Sequence, residues 1–75
     1  MGSYKKGLMK LLEGLEAGQR VVLEHEEDSY FDGWTQVYDC TLTVLQYVDG
    51  RYETVEEYQI ALDWDTIYSF HIGER

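Results

Sequence analysis

The chain has no proline and a single cysteine among its 75 residues, and its 6 Lys and Arg residues face 15 Asp and Glu residues, a formal charge of −9. The single cysteine excludes an internal disulfide framework. The shortage of basic residues argues against direct nucleic-acid binding, because neutralisation of phosphates supplies most of the non-specific affinity. An apolar run of ~20 residues and a secretory leader are both missing, so we expect no membrane span and a cytoplasmic location.

The composition is typical of a folded chain. Apolar residues make up 44% of the sequence and aromatic residues 15%, with 7 Tyr and 2 Trp, which is close to the usual content of globular proteins. A chain of this length has room for one hydrophobic core, so we expect a single domain over residues 1–75. A core this small is marginal in stability without disulfides, which leaves a homodimer open.

The first part of the chain has the periodicity of a helix. Its apolar residues form one stripe at helical spacing: Tyr4, Leu8, Leu11, Leu12 and Leu15. Ser3 is placed to cap the start, and Gly18 is placed for a left-handed cap at the end, which predicts a helix that ends near Ala17. Because short isolated helices are marginal in water, we expect the stripe to cover a sheet face or a barrel mouth.

After Gly18 the pattern changes to the period of two that is typical of strands. Asp32-Gly33 and Asp49-Gly50 are hairpin signals, and the second predicts a two-residue turn. Strands are predicted at residues 20–27, 34–48, 51–62 and 64–72. The second of these segments has the length of one bent strand or of two short ones. The predicted fold class is α+β: an N-terminal helix followed by a four- to five-stranded antiparallel sheet or a small SH3-like or Sm-like barrel.

Side-chain alternation assigns faces to these strands. Cys40 alternates with Leu42 and Val44, which predicts a buried and unreactive thiol. In the next strand an even number of positions separates Tyr52 from Tyr58, so both are expected on one face.

Three segments carry a resemblance to known families: LLEGLEAGQRVVLE, YDCTLTVL and YQIALDWDTIYSFHI. Their succession resembles the N-terminal helix and strands of Sm-like barrels, and the last segment is similar to the closing strand of the YolD-like family, small proteins linked to translesion polymerases. The resemblance implies a small barrel that acts as a homo-oligomeric adaptor. Of the Sm RNA pocket only Asp39 is matched, so RNA binding is not implied.

Few residues are suited to catalysis or metal binding. The segment EHEED at residues 24–28 has carboxylate and imidazole ligands, but it lacks the order of a calcium loop, and zinc requires more Cys or His. Asp63 and Asp65 are paired acids, yet a chain of this length has little room for a catalytic pocket. We therefore expect no enzyme activity, no cofactor and no metal.

The distribution of acidic residues suggests a different kind of function. Residues 21–75 contain thirteen acidic and two basic residues, whereas residues 1–20 contain four basic and two acidic ones. Alternate residues of a strand lie ~6.6 Å apart, so Glu24, Glu26 and Asp28 are expected to form a row similar in pitch to the phosphates of DNA. Such a row has the charge complementarity to bind a groove lined by Lys and Arg.

The resulting hypothesis is a DNA-mimic inhibitor of the phage or mobile-element kind, such as anti-CRISPR or anti-restriction proteins, with a basic nucleic-acid-binding protein as partner. Aromatic residues next to the acids are expected to provide apolar anchors. The predicted contact residues are Glu24, Glu26, Glu27, Asp28, Tyr30, Phe31, Asp32 and Trp34. The alternative is an Sm-like or YolD-like adaptor that associates through a strand edge or the leucine-rich helix, with the acids only solvating its surface.

Overall fold

The computed structural model describes residues 3–73 of the chain. Its elements are α1 (Ser3–Glu13), β1 (Gln19–Phe31), β2 (Gln36–Val48), β3 (Arg51–Asp63) and α2 (Trp64–Gly73). The strands form an antiparallel sheet in the order β1-β2-β3, so β2 is central. The predicted α+β class and N-terminal helix are confirmed.

Helix α1 packs its leucine stripe on the sheet, with Leu8 buried. The helix ends at Glu13 rather than near Ala17. Gly14, a poor helix former, donates its amide to a carbonyl three residues back, at 3.2 Å, which tightens and ends the last turn. Gly18 has the expected left-handed conformation, with a φ of 85°, but it lies in the turn that enters β1.

The turn predicted at Asp49 and Gly50 is confirmed. Their φ angles are 52° and 85°, and positive φ at both central residues is what a type I′ turn requires. The ladder between β2 and β3 begins directly beside this turn, with Val48 opposite Arg51. Local turn chemistry therefore sets the register of this hairpin.

A bulge in β3 changes which side chains face the core. Val55 has no partner on β2, because the residues on either side of it pair with consecutive residues of β2. Such a bulge shifts the alternation by one position. Tyr58 packs against the core, whereas Tyr52 lies on the other face, where the guanidinium carbon of Arg20 is 5.4 Å from its ring centroid. The prediction that the two tyrosines share a face is wrong.

The hydrophobic core lies between the sheet and the two helices. Its main cluster consists of Leu8, Leu23, Cys40, Leu42, Leu62 and Ile67. Because these residues come from both helices and all three strands, both helices lie on the same face of the sheet. β2 is one continuous strand, and the burial predicted for Cys40, Leu42 and Val44 is confirmed.

The segment after β3 is a helix, so the strand predicted at residues 64–72 is wrong. Asp63 caps the helix, since its carboxylate accepts a hydrogen bond from the amide of Thr66 at 3.3 Å. Ile67 and Phe70 are one helical turn apart and both contact the core. Aromatic and β-branched residues give this segment a strand propensity, but the cap and the spacing of its core residues favour the helix.

The sheet is open, so the predicted count of four to five strands and the closed barrel are both wrong. Within residues 3–73, β1 and β3 each pair with β2 and not with each other. A barrel requires its first and last strands to pair, but the segment needed for a further strand forms α2 and covers the core instead. The molecule is elongated, 46 × 22 × 21 Å. Each strand has 13 residues and therefore spans nearly the whole long axis of the molecule.

Candidate acidic interface

The predicted acidic residues lie on β1, an edge strand. Pairing with β2 is regular up to His25, opposite Cys40, and resumes at Ser29, opposite Tyr38. Between these two pairs β1 has three residues and β2 has one. We call the three residues the acidic bulge: Glu26, Glu27 and Asp28.

The acidic bulge changes the expected geometry of the carboxylates. Glu24 occupies a regular strand position opposite Thr41, but the alternation stops after His25. The prediction of one evenly spaced row of carboxylates is therefore wrong. A bulge bends and twists its strand, so these carboxylates do not share one regular strand spacing. Bulges and charges on an edge strand also prevent unwanted strand pairing.

The carboxylates of this edge are exposed to solvent and carry their charge outward. Glu24 and all three residues of the acidic bulge are exposed. Within residues 3–73 none of them forms an ion pair, whereas Arg51 and Glu53 at the other end of the sheet do, at 3.8 Å. The lysines of α1 pair with none of these acids, and α1 packs mainly over β3, at the opposite edge. The negative charge of β1 is thus available to a partner.

Asp32 has a structural role in the four-residue loop between β1 and β2. One of its carboxylate oxygens, Oδ1, accepts hydrogen bonds from the amides of Trp34 at 2.8 Å and Thr35 at 2.9 Å. The Asp32 amide donates to the Thr35 carbonyl at 3.1 Å. Gly33, with a φ of 103°, allows the chain to reverse inside this network. The loop is therefore ordered by its own aspartate.

Tyr4 connects this loop to α1. Its hydroxyl donates to Oδ2 of Asp32 at 2.5 Å, and its ring packs against the core. This hydrogen bond raises the pKa of Tyr4 to about 12. The same bond, together with those from the loop amides, holds the pKa of the Asp32 carboxyl below its usual value. Tyr4 is not among the predicted contact residues, because no local pattern links it to Asp32, 28 positions away.

The predicted aromatic residues are exposed at the same end of the molecule. Tyr30 is 52% exposed, Phe31 65% and Trp34 82%. Tyr30 and Phe31 are consecutive strand residues, so their side chains project from opposite faces. The structure thus brings the aromatic residues near the acidic bulge, but it does not gather them into one cluster.

A second cluster of aromatic side chains lies next to the first residue of the acidic bulge. The His25 ring meets the rings of Tyr38 and Trp64 edge to face, at centroid distances of 5.2 Å and 5.6 Å. A nitrogen of His25 lies 2.9 Å from the carbonyl oxygen of Glu26. These contacts join the bulged segment of β1 to the start of α2. They were not predicted, because α2 was not predicted.

Two further acids share the open face of the sheet. Asp39 and Glu57 project from the same face as Glu24, and Asp39 lines a shallow groove together with Glu26. Side-chain alternation indicates that both residues point away from the core. The register places Asp39 opposite the acidic bulge, whereas Glu57 lies on β3, with β2 between it and β1.

The described residues contain little that is suited to catalysis. Within residues 3–73 no group of three or more His, Cys, Asp or Glu side chains is arranged to hold a metal ion. Cys40 is buried, burial raises the pKa of its thiol, and the thiol lies 3.5 Å from the carbonyl oxygen of Tyr38. Within the same part of the chain, neither helix combines the length and hydropathy needed to cross a membrane.

Comparison with known proteins gives no family assignment. No protein-family model, no curated protein and no solved structure matches the chain. Function is therefore inferred below from the geometry, exposure and charge of the described residues.

Proposed function

We propose that this chain is a cytoplasmic, non-enzymatic interaction protein that acts as a DNA mimic. It occupies the basic nucleic-acid-binding groove of a partner protein and blocks that groove by charge and by bulk. This mode of action is the one used by anti-defence inhibitors of phages and mobile elements, such as anti-CRISPR and anti-restriction proteins. The proposal requires no cofactor, no metal and no direct contact with nucleic acid.

The observation that carries the proposal is the unpaired charge of the β1 edge. Glu24 and the acidic bulge place four exposed carboxylates on one short segment, and none of them has an ion-pair partner within residues 3–73. Solubility alone requires dispersed charge, not four acids within five residues of an edge strand. A Lys- or Arg-lined groove is the complementary surface for such a segment.

The bulge supports a concave partner surface. A flat row of carboxylates would meet only one wall of a groove. Irregular pairing such as that at Glu26–Asp28 bends a strand, and we expect this bend to let the carboxylates meet both walls. The exposed rings of Phe31 and Trp34, just beyond the bulge, add apolar area to the same end.

The experiment that tests the proposal is a binding assay with a charge-reversed variant. The triple variant Glu26→Lys, Glu27→Lys, Asp28→Lys is compared with the wild type in a low-salt pull-down, and the captured proteins are identified by mass spectrometry. We expect a basic nucleic-acid-binding protein that binds the wild type and is released by duplex DNA. Its affinity for the variant should be lower by orders of magnitude, and wild-type binding should weaken above ~0.15 M salt, where the Debye length is about 8 Å.

A matched control variant distinguishes the effect of where the acids lie from the effect of the net charge of the protein. The variant Glu13→Lys, Glu16→Lys, Glu53→Lys changes the net charge equally, but these acids lie outside the acidic bulge: one in α1, one in the turn before β1 and one in β3. It should retain most of the affinity at moderate salt. Equal losses in both variants, or a partner that binds the wild type and duplex DNA at the same time, would show that the acidic bulge is not a mimic of DNA.

A second candidate function is a homo-oligomeric adaptor that pairs through a sheet edge. The observation in its favour is the segment Tyr58–Leu62 of β3, which has no charged residue and lies at the open edge opposite β1. Sedimentation distinguishes the two functions. An oligomer that persists in 1 M salt favours the adaptor, and a monomer that releases a basic protein as salt rises favours the mimic.

A further inference from the structure

We infer that Tyr4 is a positioning residue for the acidic interface: its hydroxyl fixes the β1–β2 loop on α1 and thereby sets the direction in which Trp34 meets a partner. The inference rests on the proposed function, because it assigns Tyr4 a role in the same interface. It adds a residue that the predicted contact set does not contain.

A continuous chain of contacts joins the core to the loop. The Tyr4 ring packs against the core, and its hydroxyl donates to Oδ2 of Asp32 at 2.5 Å. The other oxygen, Oδ1, accepts the amides of Trp34 and Thr35 at 2.8 Å and 2.9 Å. The Asp32 carboxylate therefore accepts a hydrogen bond from α1 with one oxygen and hydrogen bonds from the loop amides with the other. Hydrogen bonds to a charged group are stronger than neutral ones, so this aspartate is well suited to join the two.

The loop is closed by the Asp32 network and by the pairing of Phe31 with Gln36, but its tip projects into solvent. A side chain added at Gly33 would meet no atom within 4 Å, and Trp34 is 82% exposed. Among the hydrogen bonds of residues 3–73, the one from Tyr4 joins this loop to a helix. Without it, the internal network around Asp32 would still close the turn, but the turn would be free to move relative to α1. Fixing a contact residue before binding reduces the entropy lost on association.

The test compares Tyr4→Phe with Tyr68→Phe. Both variants remove one hydroxyl and no charge at neutral pH; Tyr68 is an exposed residue of α2 with no hydrogen bond of its hydroxyl within residues 3–73. The first readout is amide hydrogen exchange at Trp34 and Thr35 by NMR. The second is affinity for poly-L-arginine over a range of salt, since guanidinium groups bind carboxylates and also stack on aromatic rings.

We expect Tyr4→Phe to raise loop exchange and weaken binding by about threefold, the size expected for loss of one modest hydrogen bond. The salt dependence of binding should stay as in the wild type, because the charge is unchanged. Tyr68→Phe should match the wild type in both readouts. Faster exchange with unchanged affinity would show a purely structural contact and overturn the inference, as would a loop exchange equal to that of Tyr68→Phe.

The same assay distinguishes failure of the proposed function. If poly-L-arginine binds the wild type and the charge-reversed triple variant equally, or binds neither, the acidic interface is wrong, and the positioning role falls with it. If the wild type binds and the triple variant does not, while Tyr4→Phe binds like the wild type, the interface stands and only the role of Tyr4 is rejected.

Discussion

The two hairpins of this protein are closed by different means. The β2–β3 hairpin turns through Asp49 and Gly50 alone, and its strands pair directly beside the turn. The β1–β2 hairpin needs a four-residue loop and three hydrogen bonds to the carboxylate of Asp32, one of them from the hydroxyl of Tyr4 in α1. The first turn is a property of two adjacent residues, and the second depends on the tertiary structure.

The proposed partner interface lies on the hairpin whose loop depends on the tertiary structure. At the surface of the β2–β3 hairpin, Arg51 forms an ion pair with Glu53, and the ring of Tyr47 packs against the ring of Tyr52. Both hairpins carry acids that form no ion pair within residues 3–73, but the β1–β2 hairpin groups four of them between positions 24 and 28 and is attached to a helix by a hydrogen bond. A binding surface benefits from such attachment, because a mobile contact loop loses more entropy on association.

The largest expected effect comes from the strand that both hairpins share. Leu42 lies at the centre of β2 and is 1% exposed. Leu42→Ala should lower the free energy of unfolding by about 2–5 kcal/mol, since it removes buried methyl groups and leaves a cavity. Urea denaturation measures the loss. Val22→Ala, at an exposed position of β1, is the control, and an equal loss in both variants would contradict the burial described for Leu42.

A smaller effect is expected at the locally determined turn. Gly50 has a φ of 85°, so Gly50→Ala should cost about 1 kcal/mol for the left-handed conformation of a residue with a Cβ. Gly14→Ala, where the new Cβ would have an ordinary contact at 3.6 Å, should cost less. Thermal denaturation of both variants tests this, and a loss at Gly14 that exceeds the loss at Gly50 would argue against the turn as described.

The aromatic pair of the β2–β3 hairpin should give a coupling of about 0.5 kcal/mol. Tyr47 and Tyr52 are cross-strand neighbours with ring centroids 5.1 Å apart at an angle of 69°. A double-mutant cycle with Tyr47→Leu and Tyr52→Leu isolates this coupling from the effect of each single change. Strict additivity of the two changes would show that the rings do not interact in solution.

The smallest expected effect is a pH dependence of the β1–β2 hairpin. The folded-state pKa of Tyr4 is raised to about 12 from 10.0, so its stabilising contribution is complete below about pH 10 and is lost as the pH rises towards 12. The pKa of Asp32 is lowered from 3.8. Its contribution is therefore complete above that value and is lost as the pH falls through the lower folded-state pKa. Unfolding midpoints measured across both ranges test these signs.

Two tyrosine variants show which hydroxyl causes the loss of stability at alkaline pH. The pKa of Tyr58 is also raised, by its hydrogen bond to Glu56, so two tyrosines contribute to the wild-type profile. Tyr4→Phe should reduce the alkaline loss of stability and leave a remainder that Tyr58→Phe removes. An alkaline profile that neither variant alters would contradict both hydrogen bonds.

The elements that local patterns describe well were predicted correctly. The N-terminal helix (apart from its end, predicted near Ala17), the turn at Asp49-Gly50 and the burial of Cys40 each depend on residues close together in the chain. The strand predicted at residues 64–72 is wrong. Aromatic and β-branched residues favour a strand there, but the cap supplied by Asp63 favours a helix. That error produced the wrong strand count and the wrong barrel.

The residues of the proposed interface are exposed, as the sequence pattern indicates, but their geometry was not predicted. The bulge at Glu26–Asp28 is a property of the pairing between β1 and β2, and the hydrogen bond from Tyr4 joins residues far apart in the chain. Neither follows from alternation within a single strand.

Residue chemistry alone determined the N-terminal helix, the tight turn at Asp49-Gly50 and the alternation that buries Cys40, because each of these properties depends on neighbours within a few positions. Tertiary structure decided that the sheet stays open, that β1 bulges at its acids, and that Asp32 binds α1. These features depend on contacts between distant segments, and such contacts form only when packing, register and hydrogen bonding are satisfied together.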